Sequence, residues 1–128
     1  MNPVVLDASA ILSVILREPG YEKLTPEILS EAKASTVNLA EVQHQLRTRG
    51  WSSDEAWEDA TSPVQEVVPL SAEQAKIAGD LALTTRTLGL SLGDRACLAL
   101  AISSGATAYT ADRAWKKVNA GVRVEVIR

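Results

Sequence analysis

Short apolar segments alternate with amphipathic ones along this chain. The apolar segments predict five strands, over residues 4–6, 34–37, 67–70, 106–109 and 122–127. Most are unbroken apolar runs rather than alternations of apolar and polar residues, which is typical of parallel strands buried on both faces. Because strands alternate with helical segments, the pattern predicts an α/β fold, a three-layer α/β/α sandwich with a central parallel sheet.

Capping residues and helix breakers predict where the helices begin and end. The predicted helices cover residues 8–18, 26–32, 39–49, 53–60, 72–88 and 92–103. Ser71 with Gln74, and Ser91 with Asp94, have the spacing of capping boxes at the starts of the last two helices. The helix over 92–103 is apolar nearly all round, so it is predicted to be buried.

The composition is that of a globular protein, and 128 residues suit one domain, residues 1–128. The formal net charge of −3 argues against a protein that holds nucleic acid by simple electrostatics. A single cysteine, Cys97, excludes an intrachain disulfide. The start of the chain lacks the basic region of a signal peptide, and no apolar run approaches membrane-span length. We therefore expect a cytoplasmic protein that does not enter the membrane.

Two predicted strands each deliver an aspartate at their carboxyl end. Asp7 directly follows the first strand, with Ser9 just beyond it, and Asp112 follows the strand at 106–109, with Thr110 beside it. Ligands of open α/β sheets bind outside the carboxyl ends of the strands. A carboxylate placed directly after a buried strand is unfavourable without a partner, so Asp7 in particular indicates a functional site.

Two further acids are predicted to lie near the same edge of the sheet. Glu41 lies near the start of the helix after the second strand, and Asp94 lies in the first turn of the buried helix. Converging carboxylates repel one another, so they remain ionised together only with cations between them or a shared proton. Hard cations such as Mg²⁺ prefer oxygen ligands and bind through a few carboxylates plus substrate phosphate. The four acids therefore predict a site for metal-assisted phosphodiester chemistry.

Each of these residues also has a structural interpretation. Asp94 can complete a helix cap, Asp112 can cap the turn that follows it, and Glu41 can be a solvated helix residue. His44, the only histidine, is predicted to be solvated rather than catalytic. Cys97 is predicted to be a core residue of the buried helix.

The segments VVLDASAIL, STVNLAEV, LSLGDRACLALA and AYTADRAW surround these acids. Together they resemble PIN-domain ribonucleases, and more narrowly the VapC-type toxins of type II toxin–antitoxin pairs. The resemblance extends over nearly the whole chain, residues 4–127. It implies an α/β/α sandwich and a Mg²⁺- or Mn²⁺-dependent endoribonuclease, which cleaves RNA with a water molecule that the metal activates.

The resemblance also assigns roles to individual residues. The catalytic and metal-binding acids of the family map onto Asp7, Glu41, Asp94 and Asp112. Their polar companions map onto Ser9, Asn38 and Thr110. Glu41 either holds a second metal or helps to deprotonate the water. Some relatives carry a further acid a few residues after the position of Asp112, whereas residues 113–116 of this chain are RAWK.

The resemblance further implies partners. Relatives are commonly homodimers, and a cognate antitoxin protein inhibits them with a tail that lies over the active-site groove. Apolar residues on the short helices of the first half are candidates for that contact: Leu24, Ile28, Leu29, Leu46, Trp51 and Trp57. For RNA, Arg95 and Arg113 are candidates to contact flanking phosphates, because each directly follows a candidate ligand.

Two other functions compete with this interpretation. Haloacid-dehalogenase-like phosphatases also carry an aspartate after the first strand, but they need a second acid two residues on, where this chain has Ser9. The second alternative is a catalytically silent PIN-like module that binds protein or RNA. Metal titration distinguishes a silent module from an enzyme, because the silent module shows no acid-dependent Mn²⁺ binding.

Overall fold

The structure, a computed structural model, describes residues 2–128. The strands are β1 (Val4–Leu6), β2 (Ala32–Ser35), β3 (Glu66–Val68), β4 (Thr107–Thr110) and β5 (Val124–Val126). The helices are α1 (Ala8–Leu16), α2 (Pro26–Leu29), α3 (Thr36–Thr48), α4 (Ser53–Thr61), α5 (Ala72–Thr84) and α6 (Leu92–Ser104). Short 3₁₀ turns cover Tyr21–Lys23, Arg86–Leu88 and Arg113–Lys117.

The five strands form one sheet in the order β3-β2-β1-β4-β5, and every neighbouring pair is parallel. The chain moves outward from β1 through β2 to β3, and then returns to the other side of β1 for β4 and β5. The strand order therefore reverses between β1 and β4. In open α/β sheets this reversal leaves a crevice at the carboxyl ends of the strands, where ligands bind.

Each face of the sheet has its own apolar core. On one face, α1, α3 and α4 pack residues such as Ile11 and Leu39 against Val4 and Leu6. On the other face, α5 and α6 pack against Val5 and its neighbours. Successive strand residues point to opposite faces, which is why Val5 belongs to a different core from Val4 and Leu6. The predicted three-layer α/β/α sandwich with a parallel sheet is confirmed.

The second strand lies two residues earlier than predicted. Residues 34–37 were expected to be extended, but β2 is Ala32–Ser35 and α3 already begins at Thr36. Ser35 decides this boundary, because its side chain accepts a hydrogen bond from the Val37 backbone N–H and caps the helix. The charged residue Lys33 interrupts the apolar pattern of this strand, so the pattern did not predict it. The Lys33 ammonium group lies 3.6 Å from a carboxylate oxygen of Glu66 in β3.

Other predicted boundaries also move: α1 ends at Leu16, α2 ends at Leu29, and β3 is Glu66–Val68. The helix expected to run from 72 to 88 ends at Thr84, because the Thr85 hydroxyl donates to the Leu81 carbonyl and a 3₁₀ turn follows. The last strand is Val124–Val126 rather than 122–127. No helix within residues 2–128 has the length and apolar character that crossing a bilayer requires.

Candidate active site

The four predicted acids line one cleft at the carboxyl edge of the sheet. Parallel pairing of β1 with β4, with Leu6 opposite Tyr109, brings the residues that follow these strands together. Helices α3 and α6 supply the other walls. The cleft has a volume of about 230 Å³, and its lining residues are Asp7, Ala8, Ser9, Leu12, Asn38, Glu41, Gln45, Asp94 and Asp112.

Asp7 is the deepest acid of the cleft, with 4% of its surface exposed. It caps α1, since its Oδ1 accepts a hydrogen bond of 2.8 Å from the Ala10 backbone N–H. The Ser9 hydroxyl donates to the same oxygen at 2.7 Å, and the Thr110 hydroxyl donates to Oδ2 at 2.6 Å. Three donors therefore hold an ionised carboxylate in a buried place.

The two hydroxyls that hold Asp7 also bind the end of β4. Ser9 Oγ accepts a hydrogen bond of 2.9 Å from the Ala111 N–H, and Thr110 Oγ1 accepts one of 3.0 Å from the Asp112 N–H. Each hydroxyl thus accepts from the backbone after β4 and donates to Asp7. Two of the three predicted polar companions therefore couple the position of Asp7 to that of Asp112.

Burial raises the pKa of Asp7 from 3.8 to about 6. Desolvation is the main cause, and the nearby charge of Asp94 raises the pKa further. The hydrogen bonds from Thr110, Ala10 and Ser9 lower the pKa and offset part of that effect. Asp7 is therefore largely ionised at neutral pH, but it takes up a proton in mildly acidic solution.

Glu41 reaches the cleft from the second turn of α3. Asn38 Nδ2 donates to Glu41 Oε1 at 3.1 Å and to the Gly93 carbonyl of α6 at 3.0 Å, so Asn38 joins the two helices. A Cβ atom at position 93 would overlap the Glu41 carboxylate, so only glycine leaves room for it. Partial burial raises the pKa of Glu41, and Asp94 adds to the rise.

Asp94 and Asp112 both serve as helix caps, as their structural interpretation predicted. Asp94 Oδ2 accepts from the Ser91 N–H at 2.9 Å in a complete capping box. Asp112 Oδ1 accepts from the Ala114 N–H at 2.9 Å. In each case the bond uses one carboxylate oxygen, while the residue also lines the cleft. Capping and ligand binding are therefore compatible, and capping orients the second oxygen.

The donor set of the cleft is made of oxygen atoms and fits a hard divalent cation. The charge of Asp94 raises the pKa of both Asp7 and Glu41, which shows that the acids repel one another and that a cation would relieve the repulsion. Within residues 2–128, no three His, Cys, Asp or Glu side chains form a compact ligand group.

Two residues that shape the site were not predicted from the sequence. Gln45 lies one turn after Glu41 on α3, and its four-residue spacing is a signal that would have found it. Gly93 lies 52 residues from Glu41 in the chain, and no local pattern reveals that its missing side chain makes room for a carboxylate.

The two arginines proposed to contact RNA differ in environment. Arg95 Nη1 donates to the Ala78 carbonyl of α5 at 2.8 Å, so it helps to hold α5 against α6. Arg113 is exposed beside Asp112 at the rim of the cleft. Of the other residues considered, His44 is exposed and Cys97 is buried, as predicted.

Replacing Thr110 with valine is expected to weaken the site and the fold together. Valine keeps the shape of threonine but leaves Asp7 Oδ2 and the Asp112 N–H without their partner, at a cost of about 1–3 kcal/mol. The pKa of Asp7 should then rise above about 6, since this hydrogen bond lowers it. Urea unfolding in EDTA and a pH titration measure both effects. Thr110→Ser retains the hydroxyl, and an equal pKa rise in that variant would contradict the assignment.

Solved structures from several bacteria have the same fold. The chain is similar to a VapBC structure from Salmonella typhimurium with DNA bound (TM-score 0.76, 18% identity, covering all of both chains). It is similar to VapBC2 from Rickettsia felis, bound to a promoter fragment (TM-score 0.72, 20% identity, covering 96% of this chain and 97% of the other). It also resembles Mycobacterium tuberculosis VapC20, a sarcin-ricin loop cleaving toxin (TM-score 0.71, 19% identity, covering 94% and 98%).

The amino-acid sequence itself identifies the family of the chain. A search of curated proteins found no match to the chain. The PIN domain family, however, matches residues 4–121, which include the four acids and their three polar companions. That match favours the PIN family over the haloacid-dehalogenase-like phosphatases. The hydroxyl of Ser9 also lies where such a phosphatase would need its second acid. The chain therefore belongs to the PIN domain family.

Proposed function

We propose that this protein is a Mg²⁺- or Mn²⁺-dependent endoribonuclease and the toxin of a type II toxin–antitoxin pair. The observation that carries the proposal is the convergence of Asp7, Glu41, Asp94 and Asp112 on one cleft at the switch point of the sheet. Structures with the same fold include VapBC pairs and a toxin that cleaves the sarcin-ricin loop, which supports RNA as the substrate.

Asp7, Asp94 and Asp112 would hold the cation, directly or through waters, and Glu41 would hold a second cation or accept a proton from the attacking water. A bound divalent cation activates water and neutralises charge on the phosphate. Asp7 is suited to this role because three hydrogen bonds keep it ionised and fixed. Glu41 is suited to proton transfer because its pKa is raised and it is partly exposed.

The remaining cleft residues position these groups. Ser9 and Thr110 hold Asp7 at a constant distance from the backbone of Asp112. Asn38 holds Glu41 against α6. These hydrogen bonds fix the positions of Asp7 and Glu41 before any ligand is present, which is the condition for electrostatic preorganisation.

Cleavage of total cellular RNA by the purified protein tests the proposal. Discrete fragments are expected with Mg²⁺ or Mn²⁺ and none with EDTA. Glu41→Gln and Asp94→Asn should each lower the rate by about 10–100-fold, since their amides keep the local hydrogen bonds but lose the charge. Matched controls are Glu58→Gln and Asp80→Asn, which neutralise exposed acids on α4 and α5 and should leave the rate unchanged.

A catalytically silent module gives a different result. It yields no fragments with either metal, and its Mn²⁺ affinity is the same in the wild type and the acid variants. Fragments that persist in EDTA, or in both active-site variants, would indicate a contaminating nuclease.

We also propose a cognate antitoxin, a homodimer and a cytoplasmic location for this single-domain chain. Of the apolar residues predicted for a partner groove, Leu24 and Leu46 are core, and Ile28, Leu29 and Trp51 are partly buried. Trp57 is the member of that set which is exposed, at 46%. Co-expression with the adjacent open reading frame should yield a stable complex, and two proteins that purify separately would contradict the antitoxin proposal.

A further inference from the structure

A groove leads away from the catalytic cleft on the side of the last strand. Ser9 and Asp112 line both the cleft and an adjoining cavity of about 430 Å³, to which Arg113 and Arg128 contribute. The same two arginines line a further cavity of about 600 Å³, which reaches Lys23. The two cavities share two lining residues and adjoin the cleft of acids, and together we name them the basic groove.

Two of the three cations of the basic groove are free of ion pairs with the part of the chain that the structure describes. Arg113 and Lys23 are exposed, and neither forms an ion pair with any residue from 2 to 128. Beyond Asp112, Glu22 is the one acid among the described residues that line the groove. The lining of the groove thus carries three cations and two acids, next to the cleft of acids, on a chain whose net charge is −3.

Arg128 is held in place by the loop after α1. Its Nε donates to the Pro19 carbonyl at 3.2 Å, and its Nη2 lies 3.5 Å from Glu18 Oε1. Gly20, with a φ of 96°, lets this loop pack on the Ile127 carbonyl, where a Cβ atom would overlap the oxygen. A cation fixed in this way loses less conformational freedom when it binds a ligand.

The amino ends of the strands, on the opposite side of the sheet from the acids, lack this arrangement. A cavity of about 280 Å³ lies there, between α6 and the loop before β5, and Arg123 is the only charged residue among those that line it. It shares no lining residue with the catalytic cleft. Of these cavities, the two that adjoin the catalytic cleft therefore carry three cationic side chains, and the cavity at the amino ends of the strands carries one.

We infer that the basic groove binds the backbone of a single-stranded RNA segment that flanks the cleavage point, with Lys23, Arg113 and Arg128 contacting its phosphates. The inference rests on the proposed function for the identity of the polymer. Phosphate contacts position a nucleic acid without reading its sequence. Such contacts offset the repulsion between RNA and the acids of the cleft, and they place the strand so that its next phosphate enters that cleft.

RNA binding without metal tests this inference independently of cleavage. The probe is a fluorescein-labelled single-stranded RNA of about 12 nucleotides, followed by anisotropy in EDTA at several salt concentrations. Lys23→Ala, Arg113→Ala and Arg128→Ala should each raise Kd about two- to tenfold and lower the slope of log K against log salt by about 0.7. Arg123→Ala and Arg86→Ala remove the same charge elsewhere and should leave the slope unchanged.

Further variants and measurements separate the possible outcomes. Arg128→Lys keeps the charge and should keep the slope, even if Arg128→Ala loosens the loop. Equal effects in groove and control variants, or none in either, would overturn the inference. So would groove variants that lose the co-expressed partner protein but bind RNA normally. Groove-dependent RNA binding without any cleavage in Mg²⁺ would instead contradict the proposed function and leave the groove assignment standing.

Discussion

Asp7→Asn is expected to abolish RNA cleavage and, in EDTA, to stabilise the folded protein at neutral pH. Cleavage should fall at least about 100-fold, because the substitution removes the deepest charge of the site. Stability should rise because burial raises the pKa of Asp7 from 3.8 to about 6, which corresponds to roughly 3 kcal/mol of unfavourable ionisation. Asparagine avoids that ionisation but keeps only one acceptor oxygen for the three donors, so the expected gain is about 1–3 kcal/mol.

The pH dependence of this gain follows from proton binding. Between pH 3.8 and about 6 the folded state keeps a proton on Asp7 that the unfolded state has lost. The stability of the wild type should therefore fall as the pH rises through this window, and the contribution should be constant above it. Urea unfolding from about pH 4 to pH 7.5 measures the effect, and the difference between the two proteins should shrink toward the acid end.

Magnesium should narrow the difference in stability between the two proteins. A cation that binds the folded state adds about 1.4 kcal/mol at a tenfold excess over its Kd, and Asp7→Asn should lose most of that gain. Asp80→Asn, an exposed acid on α5, should behave like the wild type with and without metal. Equal stabilisation of all three proteins by Mg²⁺ would show that the cation binds elsewhere.

Gly93→Ala is expected to impair catalysis while leaving the fold intact. The added Cβ overlaps the Glu41 carboxylate, which is the flexible end of a side chain and moves aside at little cost. Alanine also favours helix over glycine by about 0.5–1 kcal/mol, so the stability should not fall. A catalytic group misplaced by about 1 Å can lower the rate roughly 100-fold, and a decrease of about 10–100-fold is expected here.

Gly79→Ala is the matched control for this prediction. Gly79 lies inside α5, and a Cβ atom there would meet nothing within 4 Å. The control should gain a similar helical stability and keep full activity. Thermal melts and initial cleavage rates of the two variants decide the matter, and full activity in Gly93→Ala would show that Glu41 is not needed in its present position.

The stabilities expected for these variants follow from the unfavourable placement of the carboxylates in the site. The wild type keeps an ionised carboxylate in a buried place and several acids close together, and both arrangements are unfavourable without a cation. Hydrogen bonds from Ser9, Thr110 and Asn38 reduce the penalty without removing it. Destabilised arrangements of this kind are typical of functional sites, where a ligand provides the missing interaction.

Local features determined much of this protein from the sequence alone. Apolar runs placed β1 and β4, and caps such as Thr25 and Ser91 placed the starts of α2 and α6, because these signals act within a few residues. Parallel strands end at one edge, so the acids after β1 and β4 were predicted to share a site before any contact was known.

Tertiary structure alone decided the features that depend on distant parts of the chain. The place of Lys33 beside Glu66 depends on β3 being the strand that pairs with β2 on that side. The place of Gly93 beside Glu41, and the alignment of Lys23 with Arg113 in one groove, depend on how helices and loops pack across the sheet. Packing joins residues that have no relation along the sequence, so no local pattern encodes these contacts.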